Sequence, residues 1–267
     1  MMPMKGHLII LILLLFSFGI LHSEGGLVAE EVNSYSAVFH SHAMGLSRSI
    51  RERPIQLNTL SGNSSDFRID VLFDEAHGQY WNSSKLDMFV SDLSDVYALN
   101  VTLNSGNTFN DTYLSQFDVV IMPYPQEGLS DSEALAIKNF VRNGGILFIG
   151  GEIDDYYYYN LTEITNEFGV DWVVCTIRDT TDYDSSYYYP LIHTWKNNSV
   201  ANFLSVGGSL SKVKTSGDYL RVIGSNDSEK TIYVVGTGDD DTEAEFPNGT
   251  IKTLGTNIIV FVAVDLV

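Results

Sequence analysis

The sequence has little cysteine and little positive charge, and each deficit excludes a class of protein. Cys175 is the single cysteine among 267 residues, which excludes an intrachain disulfide and a metal site built from several thiolates. Lysine and arginine number 15 against 34 aspartate and glutamate residues, giving a net charge of −19. Because proteins bind nucleic acids largely through basic side chains on phosphates, this charge argues against a nucleic-acid partner.

Common cofactor motifs are absent as well. The chain contains no P-loop, no dinucleotide-binding fingerprint and no zinc-ligand motif, so no cofactor and no metal are predicted. Apolar side chains make up 44% of the residues, which is enough for a substantial core and excludes a disordered or collagen-like chain.

The chain has one long apolar run, LIILILLLFSFGIL at residues 8–21, preceded by Lys5 and followed by a polar boundary. Its length suits the hydrophobic part of a signal peptide, whereas a membrane-spanning helix usually needs about 20 residues. We predict that residues 1–23 are a signal peptide or an N-terminal anchor, and that the chain meets a membrane only through this segment. A buried core helix is the remaining alternative.

Eight N-x-[S/T] sequons are consistent with export, because glycosylation of asparagine occurs on surface sites of secreted proteins. We therefore expect a secreted or extracytoplasmic glycoprotein, although an asparagine- and serine-rich surface would also produce such sites. The candidate residues are Asn63, Asn82, Asn100, Asn110, Asn160, Asn197, Asn226 and Asn248.

Beyond the apolar run the chain divides into two parts. Residues 24–66 show no sustained periodicity and are expected to form a tether, whereas residues 67–267 alternate between strand and helix patterns. The clearest helix begins at Ser130 and Glu133, a capping box, and ends at Gly144. The strands are apolar throughout, which predicts an α/β fold: a mostly parallel sheet with helices on both faces and extra antiparallel strands from the C-terminal third.

The stretch FDVVIMPYPQEGLSDSEALAIKNFVRNGGILFIGGE, residues 117–152, resembles the class I glutamine amidotransferase-like superfamily in its non-enzymatic branches. These include the GIFT domain of an intraflagellar-transport protein, the lumenal domain of an oligosaccharyltransferase subunit, and auxiliary proteins of gliding-type ABC transporters. The segments NEFGV at 166–170 and TNIIVFVAVDLV at 256–267 are similar to later parts of these relatives. The resemblance covers about residues 68–267 and implies a flavodoxin-like sheet.

One departure from the catalytic members of this superfamily is decisive for activity. They carry a nucleophilic cysteine in the turn after the strand that corresponds to residues 146–149, where this chain has Gly150-Gly151-Glu152-Ile153. The H-x-E pair that activates this cysteine is also missing. Cys175 lies in an apolar strand pattern and is expected to be a buried apolar group. The chain is therefore predicted not to be an enzyme.

In open α/β sheets, ligands bind beyond the carboxyl ends of the strands. If the strands ending near Phe73, Met122 and Ile149 are neighbours, the polar residues that follow them should face one depression. They could then bind a divalent cation or act as acid and base; alternatively they cap helices, and His77 satisfies a backbone group. The candidate cleft residues are Asp74, Glu75, His77, Tyr80, Tyr124, Glu152 and Asp154.

Two further groups have a functional and a structural interpretation. The tyrosines at 156–159 and 187–189 suit sugar rings or a protein partner, but they could equally fill gaps between loops. The acidic residues at 239–241, with Glu243 and Glu245, favour a solvated loop over a calcium site because they lack the EF-hand spacing.

These patterns predict an exported, catalytically inactive amidotransferase-like domain that binds or scaffolds at the cell envelope, with a protein or a carbohydrate as its partner. Two alternatives stay open. The chain could be an accessory subunit of a membrane glycan-transfer or ABC export complex, or a hydrolase that uses Asp74 and Glu152.

Overall fold

Strands and helices alternate through the first half of the chain. The structure, a computed structural model, describes residues 11–14, 69–95, 99–151, 159–198 and 212–266. The helices are α1 Asp87–Asp95, α2 Asp111–Leu114, α3 Asp131–Arg142 and α4 Tyr159–Glu167. The strands are β1 Leu11–Leu14, β2 Asp70–Asp74, β3 Asn100–Asn104, β4 Val119–Pro123, β5 Ile146–Gly150, β6 Val170–Val173, β7 Thr176–Arg178, β8 Leu191–Ile192, β9 Thr194–Trp195, β10 Val213–Lys214, β11 Tyr219–Val222, β12 Lys230–Thr237, β13 Glu243–Glu245, β14 Ile251–Thr253 and β15 Ile259–Leu266.

One half of the central sheet is parallel and the other is antiparallel. The order is β3-β2-β4-β5-β1-β15-β11-β6, and β12 pairs with β15 and β9. Strands β3, β2, β4, β5 and β1 run parallel, whereas β15 is antiparallel to β1, β11 and β12. This confirms the predicted α/β class, the adjacency of β2, β4 and β5, and the additional antiparallel strands.

The parallel strands β2, β4 and β5 lie in the interior of the protein because they are apolar along their length. Every residue of β4 and β5 is buried, and four of the five residues of β2 are. A strand that is apolar at successive positions buries both of its faces, so it belongs in the middle of a covered sheet. The carboxyl ends of these three strands lie at one edge of the core, and they position the polar residues that follow.

Helix α3 begins and ends as its sequence predicts. The Ser130 side chain accepts a hydrogen bond from the Glu133 backbone N–H, and the Glu133 carboxylate accepts one from the Ser130 N–H, so the capping box is confirmed. Gly144 follows the helix with φ at 101°, a conformation that glycine adopts without steric cost. The N-terminus of α3 lies at the same edge as the end of β2.

The apolar strand pattern that contains Cys175 forms two strands, β6 and β7, and the interruption between them has a local cause. The Cys175 N–H donates to the Asp218 carboxylate at 2.9 Å, and the Ile177 N–H donates to the Gly217 carbonyl at 2.8 Å. These bonds take the chain out of the central sheet after β6. Strand β7 then joins β13 and β14 in a separate three-stranded sheet.

Strand β1 falls within the apolar run that is predicted to be a signal peptide or anchor. Its four residues pair with β5 on one side and with β15 on the other. Cleavage after residue 23 would therefore remove a strand from the interior of this sheet. The predicted tether, residues 24–66, lies outside the described residues. Within the described ranges, no helix has the length and apolar character needed to cross a membrane.

Candidate functional site

A buried histidine joins two carboxylates at the carboxyl end of the parallel strands. Asp74 is the last residue of β2, His77 follows it in the loop before α1, and Glu133 lies in the first turn of α3. His77 Nδ1 is 2.8 Å from Asp74 Oδ2, and His77 Nε2 is 3.0 Å from Glu133 Oε1. All three residues are less than 10% exposed. We call this group the Asp74–His77–Glu133 cluster.

Donors surround the Asp74 carboxylate. Oδ1 accepts from the Asn104 side-chain amide at 2.9 Å and from the Ala76 N–H at 3.3 Å. Oδ2 accepts from the Gln79 side-chain amide in addition to His77. A carboxylate with no water contact needs such a shell, because burying an unpaired charge costs several kcal/mol. Asp74 is fully buried, and these four hydrogen bonds, all from groups of the protein, stabilise its carboxylate.

Glu133 is satisfied in the same way. Oε1 accepts from His77 and from the Phe109 N–H at 3.2 Å. Oε2 accepts from the Ser130 N–H at 3.0 Å and from the Ser130 hydroxyl at 2.7 Å. The carboxylate therefore caps its own helix and holds the imidazole at the same time.

The two carboxylates favour the charged form of the histidine. Burial by itself lowers the pKa of the His77 imidazole, but the hydrogen bonds and charges of Asp74 and Glu133 outweigh it and raise the pKa above its usual 6.5. Burial likewise raises the pKa of Glu133, whereas the bonds from Ser130 and His77 lower it, and the net change is a pKa below 4.5. The charged imidazolium, unlike the neutral ring, can donate from both ring nitrogens, one to each carboxylate.

The loop that carries His77 is tied to the loop that follows β4. The His77 carbonyl accepts from the N–H groups of Gln126 and Glu127 at 3.0 and 2.9 Å. Gly78 has φ at 62°, and a Cβ at this position would lie 3.1 Å from the Glu127 side chain. Glycine at 78 therefore permits the close approach that makes these bonds.

Two tyrosines lie beside this loop pair. The Tyr80 N–H donates to the Tyr124 carbonyl at 2.9 Å, and the two rings are 5.6 Å apart. Tyr124 has φ at 61°, and its N–H donates to the Gly150 carbonyl at 3.0 Å, which links β4 to β5. Tyr80 is 38% exposed and has the Lys85 ammonium 3.4 Å from its ring centroid, whereas Tyr124 is buried.

The structure brings the first five predicted cleft residues to one edge of the sheet. Asp74 and His77 are buried there and are bonded to each other. Glu75 accepts from the Ser83 N–H at 2.6 Å and stabilises the chain before α1. Glu152 and Asp154 lie outside the described residues.

Three members of this network were not recognised from the sequence as site residues: Glu133, Asn104 and Gln79. Glu133 was assigned only to the capping box. The available signal was its position, since the N-terminus of a helix in an α/β unit lies at the edge where the preceding strand ends. Nothing in the sequence pattern distinguishes Asn104 or Gln79 from other loop amides.

A second polar cluster lies in the antiparallel half. The ligand atoms of Asp182, His193 and Asp239 lie within 4.8 Å of one another, as do those of Asp179, Asp239 and Asp241. Such a set has the oxygen and imidazole atoms that a divalent cation prefers. Burial and the carboxylates of Asp241 and Asp179 raise the pKa of Asp239. The outer part of this loop, Asp241 included, is exposed, as the sequence predicts.

Cys175 is buried at the junction of β6 and β7. Burial, with the nearby charge of Asp218, raises the pKa of its thiol to about 12. In the sheet order, β6 lies four strands beyond β5, roughly 19 Å at the usual strand spacing. The thiol is thus protonated and distant from the turn where an amidotransferase nucleophile would be expected.

Comparisons with known proteins give fold-level similarity. No family model and no curated protein sequence matches the chain. A solved structure described as "mmIFT52 N-terminal domain" matches with a TM-score of 0.50 and 15% identity, over 63% of this chain and 72% of that one. A putative ThuA-like protein from Bacteroides uniformis ATCC 8492 matches with a TM-score of 0.45 and 14% identity, over 76% and 81%. The first likeness agrees with the α/β class and fits the amidotransferase-like resemblance loosely.

The Asp74–His77–Glu133 cluster predicts a specific dependence of stability on pH. Replacing His77 by glutamine should lower the free energy of unfolding by about 3–5 kcal/mol near pH 6, because two buried carboxylates lose their cation. Since the folded-state pKa of His77 is raised, its stabilising contribution is complete below about pH 6.5 and is lost as the pH rises through the folded-state value. Urea unfolding of wild type and variant across this range measures both effects.

His193→Gln is the matched control. His193 is 39% exposed in its side chain and pairs with Asp182 at 2.8 Å, so its replacement should change stability by about 1 kcal/mol or less. A His77→Gln protein as stable as wild type near pH 6, or a stability gap that widens with rising pH, would contradict this account of the cluster.

Proposed function

We propose that this chain is a non-catalytic binding or scaffolding module of the cell envelope, built on an amidotransferase-like, flavodoxin-like fold. The Asp74–His77–Glu133 cluster is the observation that carries the proposal. At the strand ends, where α/β enzymes place their reactive groups, this chain has an imidazole and two carboxylates that bind one another. Their hydrogen bonds tie strand β2 to helix α3 within the chain.

The chemistry of the thiol supports the same proposal. Attack on an amide needs a thiolate that can reach the substrate. The turn at residues 150–153 contains neither cysteine nor serine, and Cys175 is buried with a pKa raised to about 12. A hydrolase that used Asp74 as its nucleophile or as the acid or base acting directly on substrate would need that carboxylate in contact with substrate, but Asp74 is fully buried.

Surface features support a position outside the cytoplasm. Five of the sequon asparagines are exposed, and Asn82 is half-buried; the exposed residues are Asn100, Asn110, Asn197, Asn226 and Asn248. Together with the apolar run at residues 8–21, they favour a glycosylated envelope protein. A scaffold of this kind could serve in a membrane complex, including one for glycan transfer or export.

The proposal predicts that the purified chain turns over no substrate of the amidotransferase class. Incubation with glutamine, and with ester and glycoside reporter substrates, should release product at the rate of a blank without protein. Cys175→Ser is the control, expected to fold normally because it replaces one small buried group by another at a cost of about 1–2 kcal/mol. Ammonia release by the wild type that disappears in Cys175→Ser would overturn the proposal.

Export is predicted separately. Native protein should fractionate with the envelope or the medium and carry N-linked glycans, seen as a mass loss on enzymatic deglycosylation. Its N-terminus should either begin near residue 24 or remain intact in a membrane-bound form. Cytoplasmic, unglycosylated protein that retains Met1 would refute the envelope location, and strand β1 would then be a permanent part of the sheet.

A further inference from the structure

The antiparallel half of the molecule contains an open cavity of about 500 Å³. It lies between the β6–β7 junction, the segment around Tyr188 and Tyr189, and the turn that joins β13 to β14. Its volume falls within the range of small-molecule sites in proteins, about 300–1,000 Å³. None of its lining residues belongs to the Asp74–His77–Glu133 cluster.

Aromatic rings form the apolar part of the wall. Tyr188, Tyr189 and Phe246 all line the cavity and are half-buried, so each presents part of its ring to solvent. Tyr188 packs against Tyr187 with the ring centroids 4.2 Å apart, and the Lys214 ammonium lies 4.7 Å from the Tyr189 ring centroid. These contacts hold the rings in place before any ligand arrives, which reduces the entropic cost of binding.

Glu245 gives the cavity a hydrogen-bond acceptor. Its Oε2 atom accepts hydrogen bonds from the Arg178 guanidinium and from the Tyr188 hydroxyl, each at 3.3 Å. Oε1 takes part in neither of these bonds, so it is the oxygen that can accept a hydrogen bond from a ligand hydroxyl. Ser216 and Thr176 line the same cavity and add side-chain hydroxyls to its polar wall.

The charges around the cavity favour a neutral ligand. Arg178 pairs with both Glu243 and Glu245, and Lys214 pairs with Asp184. With the Lys252 ammonium beside the Phe246 ring, three cations thus face three carboxylates, so neither sign of charge is left in excess for a charged ligand. An anion would approach Glu245 on a chain with a net charge of −19. A purely apolar ligand would remove Glu245 from water without replacing its hydrogen bonds, which is costly.

We propose that this cavity binds a neutral carbohydrate ring. A sugar ring has an apolar C–H face that packs on aromatic side chains and a hydroxyl rim that donates to a carboxylate oxygen, matching the two kinds of wall described. The inference deepens the proposed function by naming a ligand class, and it depends on that function only in treating the chain as a binding module. Its failure would leave the absence of catalysis untouched.

Ligand-detected NMR and calorimetry on the full chain test the proposal. The probes are mannose and N-acetylglucosamine, each as monosaccharide and short oligosaccharide, and the chain's own N-linked glycans are removed enzymatically so that they do not compete. Wild type should bind at least one probe, and Tyr189→Ala and Phe246→Ala should each weaken that binding at least about tenfold. Tyr183→Ala is the matched control: an exposed tyrosine of the same segment that does not line the cavity, expected to bind like wild type.

Tyr189→Leu and Phe246→Leu keep the apolar bulk and replace the alanine variants if those fail to fold. Loss of binding in the leucine variants, with unchanged thermal unfolding, would support stacking on a flat ring. The proposal is overturned if no probe binds wild type at about 10 mM, where even a weak site would be occupied. It is equally overturned if binding persists unchanged in both leucine variants. Turnover of glutamine, in contrast, would refute the proposed function and not this site.

Discussion

The imidazolium of His77 between Asp74 and Glu133 is the interaction on which this end of the molecule depends. It joins the end of β2 and the loop that follows it to the first turn of α3, 56 residues away from His77 in sequence. Two buried carboxylates could not be accommodated there without a cation, and a buried imidazolium could not be accommodated without carboxylates. Each group therefore offsets the free-energy cost of burying the others. Their hydrogen bonds hold the loops after β2 and β4 in position.

The same interaction determines what the polar residues at the ends of the strands do in this protein. In a ligand-binding α/β protein the side chains beyond the sheet point into a crevice. Here their hydrogen bonds are used within the chain, and the described aromatic cavity lies instead beside β7, β13 and β14. The polar residues at these strand ends thus form a buried network, and the described cavity belongs to the antiparallel half.

Sequence patterns predicted strands β2, β4 and β5 and helix α3 well because their signals are local, whereas β1 falls in the run predicted to be a signal peptide or anchor. Continuous apolar runs specify β4 and β5, and Ser130 with Glu133 specifies the start of α3. The additional antiparallel strands were also predicted, but short strands such as β13 were not, since they depend on pairing between distant segments such as β7 with β13. Loop residues after β2 were placed at the correct edge, but their burial was missed, because a histidine paired with carboxylates reads in sequence like a histidine that binds a ligand.

The protonation state of His77 tests the central claim most directly. Nitrogen NMR of the histidine rings in the intact chain can follow His77, assigned by comparison with a His77→Gln sample, through a pH titration with and without added Mg²⁺ or Ca²⁺. The account predicts a His77 ring that is mainly protonated on both nitrogens at pH 6.5, a titration midpoint above that value, and no response to either cation. A ring that is neutral at pH 6.5, or one whose signals shift with the cation, would show that the cluster is an open ligand site and contradict the account.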